Sequence, residues 1–360
     1  MAFRPTFVLG LLLTALAAGC AEPPARSTPV GRMHRAFVDA GRPPWQGDGV
    51  RPLAATVWYP AAPGSVESDW SIGVFEFGRG AVDAAIAPGD ARPLVVLSHG
   101  TGGSAAQMSW LAESLAAAGF VVAAVNHHGN TAAEDTLAPH GFVLPWERAR
   151  DVSVLIDRLL ADPAIGPRIA RERIGVAGFS LGGYTALASA GARLTFDDWQ
   201  RYCASRADES GCALPPEATF TRADVDALAR SDDKFKASLA RAAEHRADPR
   251  IRAVFAIAPA LLPMVEPASL QSVPVPVRIV LGEADTQVPV GRNAAHLAQH
   301  MPRATVTRLP GVGHYAFLAP CTLRGRLVAS EVCADGNDVD RRELHARTAQ
   351  DATRFFHTHL

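Results

Sequence analysis

The chain has almost no excess of either charge. Its 35 Lys and Arg residues stand against 36 Asp and Glu, a net charge of −1 at pH 7, so no electrostatic pull toward nucleic acid or anionic lipid is expected. Internal repeats, a Walker-type phosphate loop and the Cys/His spacing of a zinc site are missing, which leaves no cofactor and no metal to expect. Cysteine is sparse, with five residues in 360. Long apolar runs are missing too, apart from residues 7–18 behind Arg4, a stretch too short and too poorly flanked for a membrane-spanning helix. Core material is plentiful: 48% of the residues are hydrophobic. That is enough for one large domain with an insertion, or for two small ones, and too much for global disorder.

The apolar run near the start has the form of a secretory signal. It ends in Leu16-Ala17-Ala18-Gly19-Cys20, small residues before a cysteine as in a bacterial lipobox, with Ala17 where that pattern prefers leucine. The expectation is a signal peptide over residues 1–19, lipidation of Cys20, and an exported lipoprotein of the cell envelope, periplasmic and membrane-anchored. An ordinary signal cut nearby would release the protein instead. Residues 20–50 are then a Pro-rich leash and N-terminal extension, and membrane attachment is expected only through the lipidated end. The other four cysteines form two close pairs in loop-like sequence. In an oxidising compartment the economical disulfides are Cys203–Cys212 and Cys321–Cys333, with the other pairings still open.

Residues 32–50 are polar and rich in Gly and Pro. From residue 51 strand and helix patterns alternate. Residues 53–59 read as a strand stopped by Pro60, 70–77 as an edge strand, and 93–98 as a buried parallel strand. Residues 107–118 read as an amphipathic helix closed by Gly119, and 120–125 as the next strand. Residues 146–160 read as a helix with Val152, Leu155, Ile156 and Leu159 on one face. Residues 173–177 and the helix former 184–190 follow. The rhythm breaks over 191–250, a charged stretch with helical patterning from residue 224 to 245. It resumes with strands at 251–257, 276–281 and 304–309 and a closing helix at 351–360. This alternation predicts a doubly wound, mostly parallel α/β sheet of about eight strands. Residues 51–190 and 251–360 are its two parts. Residues 191–250 are an insertion, either a lid over the C-terminal ends of the strands or a surface decoration.

Gly178-Phe179-Ser180-Leu181-Gly182 joins strand 173–177 to the helix that follows. A G-x-S-x-G turn there strains the serine backbone, stands its hydroxyl clear of the sheet and leaves free N–H groups at the helix start. A serine hydroxyl needs a base in reach, and the base needs a carboxylate to fix its tautomer. His314, in Gly311-Val312-Gly313-His314, is the candidate base, and Asp285 the candidate acid, with Glu283 its rival. All three groups follow strands, so one sheet edge can gather them. The oxyanion donors expected are the N–H of Leu181 and that of Thr101 in His99-Gly100-Thr101-Gly102-Gly103, with Gly102 as second choice. Gly100, Gly102, Met108, His128 and Phe317 are candidate substrate contacts. His127 and His128 also read as plain loop residues beside the pocket. Met108, Trp110, Phe142, Trp146 and Phe317 either line an acyl pocket or pack as core.

Together these motifs resemble the α/β-hydrolase superfamily. Within it, residues 98–103 and 119–130 are similar to dienelactone hydrolase-like and platelet-activating-factor acetylhydrolase-like bacterial proteins. The resemblance runs over roughly residues 53–314 and skips 191–250. It implies an α/β-hydrolase fold and a serine hydrolase acting on small or short-chain carboxylic esters. Dienelactone hydrolase has a cysteine nucleophile where this chain has Ser180, so that name does not carry its substrate across. The same three groups would serve an amidase, a thioesterase or a phospholipid acyl hydrolase. A silent scaffold would serve as an envelope binding protein, which has no need of all three. The only partner implied is a small-molecule ester; the oligomeric state is not set by the sequence.

Overall fold

Continuous apolar runs cannot face water on either side, and in the computed structural model they become the centre of a ten-stranded sheet. The structure describes residues 28–207, 209 and 211–360; the expected signal segment and Cys20 lie outside them. In chain order the strands are β1 (Val30–Asp39), β2 (Arg51–Pro60), β3 (Ser68–Ile72), β4 (Phe75–Val82), β5 (Arg92–Ser98), β6 (Val121–Val125), β7 (Ile169–Phe179), β8 (Ile251–Ile257), β9 (Val277–Gly282) and β10 (Thr305–Leu309). They lie in the order β10-β9-β8-β7-β5-β6-β2-β1-β4-β3. Pairings from β10 to β6 are parallel, whereas β2 runs antiparallel to β6 and β1 antiparallel to β2.

The helices are α1 (Ser109–Ala117), α2 (Pro139–Val143), α3 (Glu147–Ala161), α4 (Leu181–Ser189), α5 (Phe196–Cys203), α6 (Arg222–Ser231), α7 (Asp233–Ala240), α8 (Pro267–Gln271), α9 (Val290–His300), α10 (Leu323–Val328), α11 (Ser330–Cys333) and α12 (Arg341–His359). One face of the sheet is covered by α3, α4 and α9, the other by α1 and α12. The 3.6-residue spacing places Val152, Leu155, Ile156 and Leu159 of α3 inside, all fully buried. Each such side chain stabilises the fold by roughly 1.5–3 kcal/mol relative to exposure.

The sheet has ten strands rather than about eight, for two local reasons. Residues 30–39 form β1, which the polar reading of 32–50 had passed over: Arg35 and Phe37 are only partly buried, and the strand is held by its full-length ladder to β2. The expected edge strand 70–77 is instead the tip of the β3–β4 hairpin, turning at Gly73, whose φ is +60°. The closing helix begins ten residues earlier than expected. Asp340 caps it by accepting hydrogen bonds from the N–H groups of Arg342 and Glu343.

Residues 191–250 contain α5, α6 and α7 and pack on α2 and the start of α3 through a separate apolar cluster including Trp45, Phe142, Trp146, Val225 and Phe235. The indole N–H of Trp146 donates to Ser238 Oγ at 3.0 Å, and that hydroxyl donates to Glu147 at 2.7 Å. Phe142 and Trp146 thus anchor the insertion instead of lining an acyl pocket. The disulfides Cys203–Cys212 and Cys321–Cys333 are both formed.

Candidate active site

β7 passes straight into α4, and Ser180 at the junction has φ 56° and ψ −120°. That region is strained for any residue with a Cβ. The turn survives because its neighbours have no side chains. A Cβ on Gly178 would lie 2.1 Å from the carbonyl oxygen of Gly182, and one on Gly182 would lie 1.9 Å from that of Ser98. The Ser180 N–H is tied to Ile257 O of β8 at 2.9 Å.

His314 lies where a short 3-10 turn (His314–Phe317) follows β10, and Asp285 in the turn after β9. The imidazole bridges the two other groups: its Nε2 is 3.0 Å from Ser180 Oγ and its Nδ1 is 2.6 Å from Asp285 Oδ2. The other oxygen of Asp285 accepts the N–H groups of Gln287 and Val288, at 2.9 and 2.7 Å, which fixes the carboxylate. Glu283 points elsewhere, pairing with Arg308 at 2.9 Å at the surface. The structure therefore brings Asp285, not Glu283, to His314.

The loop after β5 lies against the serine. A Cβ on Gly100 would sit 3.3 Å from Ser180 Cβ. Gly102 has φ +63°, and its N–H donates to Asn130 Oδ1 at 2.5 Å. That bond removes Gly102 as an oxyanion donor. Among the described residues nothing accepts the N–H of Thr101 or of Leu181, the first residue of α4. Asn126 supports the same loop by accepting the N–H of Ala105 at 2.8 Å.

Other expected contacts fall elsewhere. Both ring nitrogens of His128 are engaged within the chain, Nε2 accepting from Trp45 N at 3.0 Å and Nδ1 facing Glu134 at 2.9 Å. His127 is buried, with Nε2 2.8 Å from Ser98 Oγ and Nδ1 2.8 Å from Asp151. Burial pushes its pKa down to about 3. Met108 and Phe317 lie fully within the apolar layer beneath α1 and α12. Their hydrophobicity is spent on the core, so neither lines an open pocket. A surface depression of about 640 Å³ beside Asp90, Pro163 and Arg173 is at the opposite ends of the strands from Ser180.

One group that sequence reasoning missed comes from the insertion. The Cβ and Cγ of Glu217 are 3.0 Å from where a Cβ on Gly102 would be. Burial pushes the Glu217 carboxyl up, opposed by its own backbone N–H and by nearby His314. Nothing in the local sequence marks it, because its neighbours arrive from another segment.

Residues 95–324 match the alpha/beta hydrolase family, and the chain belongs to it; its mostly parallel sheet with helices on both faces is the α/β-hydrolase fold. No curated protein matches the chain in sequence. Among solved structures, a ferulic acid esterase from Streptomyces cinnamoneus is similar at a TM-score of 0.57 and 21% identity, over 94% of this chain and 92% of its own. A puromycin-hydrolyzing peptidase from Mycobacterium tuberculosis gives a TM-score of 0.49 at 14% identity, over 91% of this chain and 39% of its own. At these identities the likeness is one of fold.

Proposed function

We propose that the chain is a serine hydrolase that cleaves carboxylic esters of small or short-chain acids through an acyl-enzyme on Ser180. One observation carries this reading: His314 sits between Ser180 Oγ at 3.0 Å and Asp285 Oδ2 at 2.6 Å. Asp285 accepts the Nδ1–H, so Nε2 is left as the basic nitrogen facing the hydroxyl. Ser180 attacks the acyl carbon while His314 takes its proton. The oxygen that gains charge lies between the N–H groups of Leu181 and Thr101, a pair whose members are each worth about a hundred- to a thousand-fold in rate in related chemistry. His314 then hands its proton to the departing alcohol, and water repeats the sequence on the acyl-enzyme.

The similarity of residues 98–103 and 119–130 to dienelactone hydrolase-like and platelet-activating-factor acetylhydrolase-like proteins supports small or short acyl groups. Residues 191–250 act as a lid, a role supported by Glu217 lying against Gly102. The lipobox-like ending at Cys20 supports export and anchoring to the envelope.

The test is labelling of the purified protein with a fluorophosphonate, followed by turnover of acetyl, butyryl and dodecanoyl p-nitrophenyl esters beside matching amides and thioesters. Labelling at Ser180 with fastest turnover of the acetyl and butyryl esters is the expected result. An unlabelled protein would end the enzyme reading and favour an envelope binding protein. Faster turnover of the amides or thioesters would end the ester assignment alone.

A further inference from the structure

Beneath the loop that carries Thr101 lies a buried cation that the hydrolytic cycle does not use. Arg148, in the first turn of α3, is 2% exposed. Among the described residues no carboxylate is within ion-pairing distance of it. Asp151, one turn along, is already shared by Arg42 at 2.5 Å, Arg51 at 3.2 Å and His127 at 2.8 Å. The guanidinium of Arg148 is instead turned on the His99–Gly100 segment: it donates to His99 O at 3.0 Å, lies 3.2 Å from His99 Nδ1 and 3.5 Å from Gly100 O, and leaves its Nε–H without a partner among the described residues. Burial pulls its pKa down to about 9, so it is still charged at neutral pH. An unpaired buried cation is costly, and carbonyls that could be served by neutral donors do not by themselves call for one.

The identity of those carbonyls gives the reason. The C=O of Gly100 and the N–H of Thr101 belong to one peptide group. Gly100 O also accepts from His99 Nδ1 at 2.7 Å and from Gly103 N at 3.3 Å. His99 is set for this because its Nε2 accepts the N–H of His127 at 3.2 Å, which leaves the proton on Nδ1. Donors and positive charge on a carbonyl draw electron density through the amide and strengthen its N–H as a donor. In a dry interior the effect of a full charge is large.

Resting on the reading of Ser180 as nucleophile, we infer that Arg148 is a positioning residue of the oxyanion hole: it fixes and polarises the His99–Gly100–Thr101 peptides, so that Thr101 N–H binds the charge that develops on the substrate oxygen. It touches no substrate. Its effect is confined to states that carry an oxyanion, which separates it from a general role in packing.

The experiment uses the purified chain with Arg148→Met, Arg148→Lys and Arg148→Gln, each checked for fold by near-UV circular dichroism. For each, kcat and KM are measured on p-nitrophenyl acetate. Inhibition is measured with a trifluoromethyl ketone, which forms a tetrahedral alkoxide on Ser180, and with the matching secondary alcohol, which forms none. Arg148→Met is expected to lower kcat by about ten- to a hundred-fold, less than loss of a direct donor, with KM within about two-fold. The ketone should weaken by the same factor and the alcohol not at all. Arg148→Lys should recover most of the loss and Arg148→Gln little of it. Equal weakening of ketone and alcohol, or an unchanged kcat, would overturn the inference. If Arg148→Met does not fold, the lysine and glutamine variants decide: equal kcat in the two would overturn it. Absence of fluorophosphonate labelling in the unmodified protein would instead remove the nucleophile, and the inference with it.

Discussion

Ser98 Oγ lies 2.8 Å from Nε2 of His127, whose Nδ1 lies 2.8 Å from Asp151. The described residues thus hold two serine–histidine–aspartate arrays, and hydrogen bonding alone does not tell them apart. Surroundings do. Ser98 and Asp151 have no exposed surface, and Ser98 ends an ordinary strand. Ser180 has the strained elbow, two free N–H groups beside it and the more open position. Ser98→Ala should therefore keep esterase activity within about three-fold. It should lower stability by about 1–3 kcal/mol, since it strips a buried ring nitrogen of its partner. Ser180→Ala should lose activity by at least about ten-thousand-fold and fold normally. Side-by-side kinetics and thermal melts check both, and the reverse pattern would reassign the nucleophile.

Asp285→Asn should cost about ten-thousand-fold in kcat, because an amide cannot hold the imidazole in the needed tautomer. Glu283→Gln should change kcat by less than about two-fold, since that carboxylate pairs with Arg308 at the surface, where such pairs are worth little. Comparable losses in the two variants would mean that the acid had been misassigned.

Stability should fall as the solution is acidified from about pH 6.5. Burial holds His127 and His345 down to about 3 and His99 well below the usual range. Between those values and the unfolded value near ~6.5 the unfolded chain binds more protons, so stability rises with pH across that window and is lost on the way down. Asp39, Glu147 and Asp151 are held below the ordinary carboxylate range; burial opposes this, but the arginine and hydrogen-bond partners around them outweigh it. Their contribution disappears in the same direction, below about pH 4. Urea midpoints taken from neutral to acid pH should drop steadily, and a flat curve between about pH 6.5 and 4.5 would refute the assignment of buried neutral histidines.

Reduction should loosen the insertion. Cys203–Cys212 closes a loop with a sequence separation of 9 and Cys321–Cys333 one of 12. Loops of that size restrain the unfolded chain by about 3 kcal/mol each. A reducing agent should lower the melting temperature by several degrees and speed proteolysis within residues 191–250. An unchanged melt would show that the bridges add nothing.

Glu217 lies against Gly102 in the loop after β5. An ionised carboxylate there repels negative charge on an acyl group. Glu217→Gln should raise kcat/KM for a hemisuccinate ester relative to the acetate ester by about two- to five-fold, the scale of one solvent-screened charge pair. An unchanged ratio would place the carboxylate too far away to matter.

Segments that carry their own reason were readable from the residues. β6 is apolar throughout, and β5 and β8 are apolar apart from Arg92, Ser98 and Arg252, because both faces are covered over most of their length, and a run of that kind has few other places to go. β1 was hidden because Arg35 and Phe37 are left partly exposed and β2 supplies its order. The support of the loop after β5 was hidden for a similar reason. Asn130, Arg148 and Asp151 look like ordinary loop and helix residues; Asn130 carries no mark, and the only mark of Arg148 and Asp151 is charge at positions that α3 turns inward.

Local sterics and burial periodicity are written within windows of a few residues, and these alone set the elbow at Ser180, the alternation of strand and helix, and the chain order of serine, aspartate and histidine. Which carboxylate meets the imidazole, whether Thr101 or Gly102 keeps a free N–H, and which of two serine–histidine pairs is open were decided only by the folded chain. Those outcomes are distances between remote segments, fixed when β5, β7, β9 and β10 are laid side by side, and no short stretch of residues contains them.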